Sequence, residues 1–440
     1  MAMTSRTGAH LVAETLRTLE INVLFGIVGI PIVEIAEACI SNGIRFIAFR
    51  NEQSASYAAQ AYGYLTGRPG VCLVVGGPGV IHAMAGMVNA HVNHWPILVL
   101  AGYIENHQRE MGGFQEFDHV SLVKSVTKFA AQPSEVGRIP FLIEKAYRTA
   151  FYGRPGPTFV DIPANFIRAG VGDLKGVASI TSVPDAPKSM ACAEMIRQAV
   201  SKLREARAPL VVIGKGCAYA RAEQSIRSFI DSANLPFLPT PMGKGVLPDS
   251  HPLNVAAARS TALAGADIVL LFGARLNWIL HFGGPPRWKR DVCFIQVDIA
   301  AEELGNNAPN SKIRLLGDVG LISEQLLQAL AGWRYTADSS EYVRTIRARA
   351  RKNIAKTGEL AKSDRIPMNY QRALTEIKEA VAVADVVWVN EGANTMDIGR
   401  SIFECELPRR RIDAGTFATM GVGMGYAIAG KSAYGTADFC

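Results

Sequence analysis

Glu52 is the residue whose type and position most directly suggest chemistry. It stands in FRNEQSASYAAQAYGYLTG, residues 49–67, between a short apolar segment and an alanine-rich segment of helical character. A carboxylate in apolar surroundings is costly unless a partner binds it or its proton takes part in a reaction. The structural alternative is a glutamate that only begins a helix, where the helix dipole favours negative charge. We therefore expect Glu52 either to transfer a proton or to pair with a specific group.

Two glycine-containing turns could place backbone N–H groups against a ligand. VVGGPGVIHAMAG contains Gly76, Gly77 and Gly79 between a predicted strand and a predicted helix, and GIVGIP occupies residues 26–31. Neither turn matches the phosphate-binding loop or the G-x-G-x-x-G dinucleotide fingerprint. A tight structural turn is as good an interpretation of each as an anion contact.

Charged residues follow several predicted strands in the middle of the chain. Lys215, Arg275, Asp298 and Asp318 each lie near the carboxyl end of such a strand. Ligands of open α/β sheets bind at that edge, so a nucleotide-like group is one interpretation. Ordinary loop charges are the other, and spacing alone does not separate them.

The sequence contains no pattern typical of a metal site or a serine nucleophile. His82, His91 and His94 share one predicted helix without a carboxylate at ligand spacing, so we interpret them as packed or surface residues. The G-x-S-x-G motif of serine hydrolases is absent from the sequence. Seven cysteines are scattered without a C-x-x-C pair, which favours buried, reduced thiols.

Helical periodicity alternates with short apolar segments along the chain, which predicts an α/β fold of parallel sheets covered on both faces. A polar segment rich in Gly, Ser and Pro interrupts the first series, and a basic helical segment follows the second. We predict three doubly wound parallel-sheet domains, at residues 1–167, 190–335 and 365–440, the last of them incomplete.

Composition fits a globular enzyme, with 49% apolar and 19% charged residues. Much of the net charge of +7 comes from residues 342–356, which we interpret as a solvated helix face, with an anionic ligand as the alternative. Nucleic-acid binding has only this charge in its favour. No segment is apolar enough to predict a membrane span or a signal peptide, so a cytoplasmic location is expected.

Several segments, taken in order, resemble thiamine-diphosphate enzymes. They are FGIVGIP, FRNEQSASYAAQAYGYLTG, GGPG, GGFQE, GARLNW, NEGANTMDIGR and DAGTFATMGVGMGYA. The sequence is most similar to the 2-hydroxyacyl-CoA lyase and oxalyl-CoA decarboxylase family, as far as about Ala429. The resemblance implies three domains: a pyrimidine-binding domain, a Rossmann-like middle domain and a diphosphate-binding domain.

The resemblance gives Glu52 a partner, the N1′ atom of the cofactor's aminopyrimidine ring. It places Gln115 and Glu116 near the reacting centre. Phe114 and Gln115 stand where decarboxylases tend to carry a tyrosine, which favours the lyase: cleavage of 2-hydroxyacyl-CoA to formyl-CoA and an aldehyde. The alternatives are decarboxylation of oxalyl-CoA to formyl-CoA and CO2, and a catalytically inactive subunit acting in binding or assembly.

The remaining site residues are implied by the same resemblance. Met420 and Gly421 would hold the bent cofactor, whereas Asn394 and Thr395 would lie near its diphosphate or the CoA thiol, unless they form a turn and a helix cap. The cofactor-binding residues are Gly29, Pro31, Glu52, Asn394, Thr395, Met420 and Gly421. An activating ADP is expected at Arg154, Lys215, Arg275, Asp298 and Asp318, and the phosphates of CoA at Arg259.

The end of the sequence departs from the family pattern. Relatives continue into a Gly-Asp-Gly or Gly-Asp-Ser segment and a later Asn that bind Mg²⁺, whereas this sequence ends in GKSAYGTADFC. Mg²⁺ is therefore implied by the family, but no metal ligand is assigned here, and Asp438 lacks the preceding strand and glycine. We expect a C-terminally truncated chain, a homo-oligomer of two or more subunits, and a peroxisomal location for a full-length form.

Overall fold

The computed structural model describes residues 6–171, 177, 179–308, 311–381, 385–435 and 438–439. Two compact units are formed: Met1–Pro187 with Phe417–Thr436, and Lys188–Thr416 with Ala437–Cys440. Every strand pair of the described residues that belongs to a sheet is parallel. The predicted α/β fold of parallel sheets is confirmed.

The first unit is built on a six-stranded parallel sheet in the order β2-β1-β3-β4-β6-β5. Its central strands β3 and β4 are buried along their whole length, as expected for strands covered on both faces. The strands are β1 (Val23–Gly26), β2 (Arg45–Ala48), β3 (Gly70–Val74), β4 (Ile97–Tyr103), β5 (Phe129–Ala131) and β6 (Pro157–Pro163).

Helices cover this sheet and begin at its carboxyl edge. They are α1 (Gly8–Thr18), α2 (Val33–Ser41), α3 (Glu52–Thr66), α4 (Pro78–Asn93), α5 (His119–Val123), α6 (Ile139–Phe151) and α7 (Ala164–Arg168). Helix α3 has both termini capped: Asn51 accepts hydrogen bonds at its start, and Gly67 ends it at φ 77°. Close packing of α3 depends on small residues, because a Cβ on Gly63 would lie 2.0 Å from the backbone oxygen of Pro96.

The second unit contains a five-stranded sheet, β11-β10-β9-β7-β8, and a three-stranded sheet, β13-β12-β14. The strands of the larger sheet are β7 (Pro209–Ile213), β8 (Phe237–Pro239), β9 (Ile268–Phe272), β10 (Cys293–Asp298) and β11 (Arg314–Leu316). Those of the smaller sheet are β12 (Val386–Asn390), β13 (Arg411–Asp413) and β14 (Asp438–Phe439). Strand β14 consists of two residues only.

Helices alternate with these strands. They are α8 (Ala193–Glu205), α9 (Lys215–Tyr219), α10 (Glu223–Ala233), α11 (Arg259–Gly265), α12 (Val319–Ala329), α13 (Glu341–Ala361), α14 (Tyr370–Ala380) and α15 (Ala393–Ile402). The basic segment forms α13, which buries Val343 and Ile346. Arg344 and Arg351 are exposed, which confirms the predicted solvated face.

Lys244 is buried within the second unit and uses its ammonium group to hold the end of α15. Its Nζ donates to the backbone oxygens of Arg400 at 2.6 Å and Phe403 at 3.1 Å. The same nitrogen lies 2.8 Å from Oδ2 of Asp249. A buried charge is tolerated here because its donors have acceptors.

The last helix, α16 (Val422–Tyr434), belongs to the first unit and packs on α3. A Cβ on Gly425 would lie 2.9 Å from the backbone oxygen of Ser54, so the glycine permits the close approach. Tyr426 packs edge-on against Tyr57, with ring centroids 6.4 Å apart. The region predicted as a third domain thus has segments in both compact units, and the predicted boundaries stay predictions.

Candidate active site

The carboxyl edge of the six-stranded sheet brings together several of the predicted residues. Strand β1 leads to Gly29 and Pro31, β2 leads to Glu52, and β4 leads to the loop that carries Gln115 and Glu116. Parallel strands present their carboxyl ends at one edge, which explains this convergence. The candidate site is therefore built on loops that follow strands of this sheet.

Glu52 is the first residue of α3, but it does not cap the helix. The side chain of Asn51 accepts hydrogen bonds from the backbone N–H groups of Gln53 at 2.8 Å and Ser54 at 3.3 Å. The Glu52 side chain is only 14% exposed, and burial together with the nearby Glu52 raises the pKa of the Cys72 thiol. Because Asn51 satisfies the helix end, the carboxylate of Glu52 is left for another partner.

His82 supplies the neighbour of Glu52. Its Nδ1 lies 3.1 Å from Oε2 of Glu52, and its side chain is 55% exposed. Our interpretation of His82 as a packed or surface residue missed this contact. The available signal was its place on the second turn of α4, directly after the Gly-Gly-Pro-Gly turn that ends β3. A residue there lies close to the edge at which Glu52 begins α3.

Glu116 accepts three hydrogen bonds from the backbone of its own loop. Oε1 accepts from the backbone N–H of Glu110 at 2.6 Å, and Oε2 accepts from those of Gly112 at 3.1 Å and Gly113 at 3.0 Å. The bond from Glu110 is the largest cause that lowers the pKa of Glu116 from its ordinary value. Glu116 therefore stabilises the loop that carries Phe114 and Gln115.

Gln115 lies against the Gly76–Gly77 turn. Gln115 adopts φ 61° and Gly77 φ 54°, both in the left-handed region. A Cβ on Gly77 would lie 2.8 Å from the backbone oxygen of Gln115, so any larger residue would displace this loop. The turn thus has a packing role, as one of our two interpretations held.

A cavity of about 170 Å³ opens beside Gln115. Pro31 and Gln115 line it, and Gly102 allows the approach, since a Cβ there would lie 2.7 Å from Cδ of Pro31. Gly29 packs beneath, where a Cβ would lie 2.7 Å from Cγ1 of Val75. The main side chains that line the cavity are Ile30, Pro31, Tyr103, Glu105, Phe114, Gln115 and Arg168.

In the second unit, Lys215 and Arg275 line one cavity of about 60 Å³. Nη2 of Arg275 donates to Oγ1 of Thr416 at 3.4 Å. Asp298 and Asp318 are not among its lining residues. Asp298 accepts from the backbone N–H of Ala300 at 2.9 Å, which ties down its own turn.

Asp318 has a structural role, since it caps α12 by accepting from the backbone N–H of Leu321 at 3.1 Å. It also lies 3.5 Å from Nζ of Lys188. Arg154 lies in the first unit, at the turn before β6.

Arg259 lies in a concentration of positive charge in the second unit. Its Nη1 lies 3.2 Å from Nε2 of His281, and Nη2 donates to the backbone oxygen of Ile279. Burial, followed by the charges of Arg400 and Arg287, lowers the pKa of Arg259 to about 10. Burial with Arg259 and Arg287 likewise lowers the pKa of His281. The like charges of Arg259, Arg287 and Arg400 favour an anionic ligand nearby.

The predicted cofactor residues near the end of the chain lie in different units. Asn394 and Thr395 belong to α15 in the second unit, where Nδ2 of Asn394 donates to the Tyr370 hydroxyl at 3.2 Å. The alternative that Thr395 caps a helix is wrong, because Gly392 is the N-cap and α15 already begins at Ala393. Met420 and Gly421 precede α16 in the first unit, and Met420 is 87% exposed.

The described residues contain neither a metal-binding cluster nor a membrane-spanning helix. Within the ranges that the structure describes, no group of three or more His, Cys, Asp or Glu side chains is arranged to hold a metal ion. Asp438 lies in β14, and its side chain is outside the described part. No described helix combines the length and apolar character needed to cross a bilayer.

Comparison with known proteins places the chain in a family. Residues 6–122 match the N-terminal TPP-binding domain of thiamine pyrophosphate enzymes, and residues 196–330 match their central domain. Human 2-hydroxyacyl-CoA lyase 1 is 52% identical over 96% of this chain and 73% of the relative. An Arabidopsis thaliana 2-hydroxyacyl-CoA lyase is 41% identical, and the oxalyl-CoA decarboxylase of Escherichia coli K12 is 38% identical, each over 96% of this chain and 75% of the relative. The chain therefore belongs to the thiamine pyrophosphate enzymes, in the group that contains the 2-hydroxyacyl-CoA lyases and oxalyl-CoA decarboxylases.

Proposed function

We propose that this chain is a thiamine-diphosphate-dependent carbon–carbon lyase that cleaves 2-hydroxyacyl-CoA to formyl-CoA and an aldehyde. The observation that carries the proposal is the carboxylate of Glu52, which is largely buried and relieved of helix capping by Asn51. A carboxylate so placed has acceptor capacity for a ligand nitrogen.

The surroundings of Glu52 fit the aminopyrimidine ring of the cofactor. The side chain is enclosed enough for a charge-assisted hydrogen bond to be strong, yet it is in contact with His82, whose ring is partly exposed. When bound, thiamine diphosphate supplies the electron sink that carbon–carbon cleavage requires. Glu52 would hold and return one proton at the ring nitrogen N1′, which is the role of a general acid–base.

Gln115 and Phe114 would line the substrate site beside Pro31, in the cavity at the sheet edge. In the proposed reaction the bond between C1 and C2 of the acyl chain breaks. The 2-hydroxyl loses its proton as the aldehyde forms, and C1 gains a proton to become formyl-CoA. Glu116 would act indirectly, by holding the loop.

The acyl-CoA substrate accounts for the cations of the second unit. Burial, and after it the charges of Arg400 and Arg287, lower the pKa of Arg259. An arginine fork matches phosphate oxygens well, so this cluster is suited to the phosphates of CoA. The activating ADP, expected by resemblance at Arg154, Lys215, Arg275, Asp298 and Asp318, stays a prediction.

Three further features are proposed on family grounds alone. Mg²⁺ would bind the cofactor diphosphate, and two or more copies of the chain would form the catalytic unit. A peroxisomal location of a full-length form also stays a prediction.

Phe114 favours lyase over decarboxylase, because this exposed apolar residue offers no hydroxyl group beside Gln115. The test is incubation of the chain with thiamine diphosphate, Mg²⁺ and either a 2-hydroxyacyl-CoA or oxalyl-CoA, with products identified by mass spectrometry. Formyl-CoA and a shortened aldehyde in equal amounts support the proposal. Formyl-CoA and CO2 from oxalyl-CoA alone would establish the decarboxylase instead, and turnover of neither substrate would favour a non-catalytic subunit.

A further inference from the structure

His119 is a buried residue to which the proposed reaction assigns no role. It is the first residue of α5, and its side chain is fully buried. Its Nε2 accepts the backbone N–H of Gly77 at 2.6 Å. Its Nδ1 lies 3.1 Å from Oδ2 of Asp161, on β6. One imidazole thus links the turn after β3 to β6, which is two places away in the sheet.

The two contacts indicate which tautomer the ring adopts. The N–H of Gly77 must donate, so Nε2 carries no proton and Nδ1 carries the one that it donates to Asp161. Both nitrogens are therefore occupied by protein partners, and the ring is not placed to exchange a proton with a substrate.

Asp161 is itself held in place. Its Oδ2 also accepts from Nε2 of Gln132 at 3.2 Å, and Oε1 of Gln132 accepts from Nη2 of Arg109. Among the described residues, Oδ1 of Asp161 has no hydrogen-bond partner although it is buried. A buried carboxylate of this kind lowers stability, so the bond to His119 is one of the contacts that compensate for it.

The turn that His119 holds is the one that packs on Gln115. The Gly77 backbone approaches Gln115 so closely that a Cβ on the glycine would lie 3.0 Å from Cβ of Gln115 and 2.8 Å from its backbone oxygen. A Cβ on Gly76 would lie 3.1 Å from Cε1 of His119. The glycine turn thus packs against the imidazole on one side and against the Gln115 loop on the other. A shift of the turn would therefore displace Gln115.

We propose that His119 is a positioning residue that fixes the Gly76–Gly77 turn against the backbone of Gln115 and so sets where Gln115 faces the cavity. The inference rests on the proposed function in one respect, that Gln115 lines the substrate site. It adds a residue that the reaction scheme does not contain and that touches neither substrate nor cofactor.

The test compares His119→Gln with His119→Leu. Glutamine has an oxygen to accept from Gly77 and an N–H to donate to Asp161, whereas leucine has neither. We expect His119→Leu to lower kcat by about 10²-fold, because small displacements at a reacting centre cost that much, with KM for the CoA ester nearly unchanged. His119→Gln should keep kcat within about threefold of the wild type. His91→Leu, on an exposed face of α4, is the matched control and should leave kcat unchanged.

Hydrogen exchange gives a second readout that needs no activity. His119→Leu should accelerate amide exchange at Gly77 and in the segment 113–117, and His119→Gln should preserve the protection. His119→Asn is the second variant should His119→Leu not fold, because its shorter side chain is unable to reach both partners. It should accelerate exchange in the same segments.

The results separate this inference from the proposed function. If the wild type turns over neither substrate, the proposed function fails, and faster exchange in 113–117 still supports the positioning role. If His119→Leu lowers the melting temperature but leaves both kcat and exchange in 113–117 as in the wild type, His119 is only a core residue and the inference is overturned. Loss of kcat in His119→Gln equal to that in His119→Leu would also overturn it.

Discussion

Glu52 and Glu116 are two carboxylates at the same sheet edge with opposite surroundings. Glu116 accepts backbone N–H groups from Glu110, Gly112 and Gly113. For Glu52, His82 is the side-chain partner found within the described ranges, and Asn51 satisfies the helix end beside it. A carboxylate that accepts three backbone N–H groups of its own loop stabilises that loop, whereas one that accepts none of them is available for a ligand. Residue type alone did not distinguish these roles.

The sharpest test of this comparison is Glu52→Gln. Glutamine keeps the shape of the side chain but is unable to act as a general acid–base. We therefore expect kcat for 2-hydroxyacyl-CoA cleavage to fall by about 10²–10⁴-fold. Steady-state kinetics with saturating thiamine diphosphate measures this. Glu37→Gln, an exposed glutamate on α2, is the matched control and should keep full activity. Retention of normal kcat in Glu52→Gln would remove the basis of the proposed function.

A smaller effect is expected from Glu116→Gln. The amide oxygen accepts fewer and weaker bonds than the carboxylate, so the loop should loosen and kcat should fall by about tenfold through misplacement of Gln115. Exchange of the amides at Gly112 and Gly113 should accelerate in parallel. Glu110→Gln, in the same loop, serves as control because only the backbone of Glu110 takes part. A kcat loss as large as that of Glu52→Gln, with unchanged exchange, would contradict the distinction.

Asn51→Ala tests whether Asn51, not Glu52, satisfies the start of α3. Loss of an asparagine cap should lower the free energy of unfolding by about 1 kcal/mol. Glu52→Gln should change it by less than half of that, about 0.5 kcal/mol or below. Urea denaturation followed by circular dichroism measures both variants. The reverse order would mean that Glu52 is needed as a helix-start residue.

The smallest expected effect is in the titration of Glu116. The pKa of Glu116 is lowered because the ionised form accepts the loop N–H bonds. The stabilisation of the loop by these bonds is therefore present above the ordinary glutamate pKa range and is lost as the pH falls through the lowered pKa. Carboxyl carbon NMR chemical shifts should give a midpoint below that of an ordinary glutamate. A midpoint at or above the ordinary value would show that the loop bonds do not form in solution.

The sequence predicted the sheets better than it predicted the side-chain contacts. Apolar segments such as VCLVV and PILVLAG became buried parallel strands, because strands covered on both faces have a local signature. The family resemblance, not the topology, grouped Glu52, Gln115 and Pro31 as site residues, and the structure places all three after strands of one sheet. The start of α15 was placed too late, since helix termini depend on caps such as Gly392 that carry little sequence signal.

The contacts of His82 and His119 could not be predicted in this way. His82 meets Glu52 across 30 residues of sequence, and His119 meets Gly77 across 42. Such pairs depend on how neighbouring strands and loops are placed beside one another, and a single sequence records no such distance. The hydrogen bonds of Glu116 could not be predicted either, because they depend on the backbone path of residues 110–113.

Lys244 gives the second unit a built-in chemical probe. All three N–H bonds of its ammonium group are directed to protein oxygens, and the residue is 6% exposed. Amine-reactive reagents should therefore label the exposed lysines of α13 rapidly and leave Lys244 unmodified while the unit stays closed. The rate at which Lys244 becomes labelled would then report how often the end of α15 detaches, without any mutation of the chain.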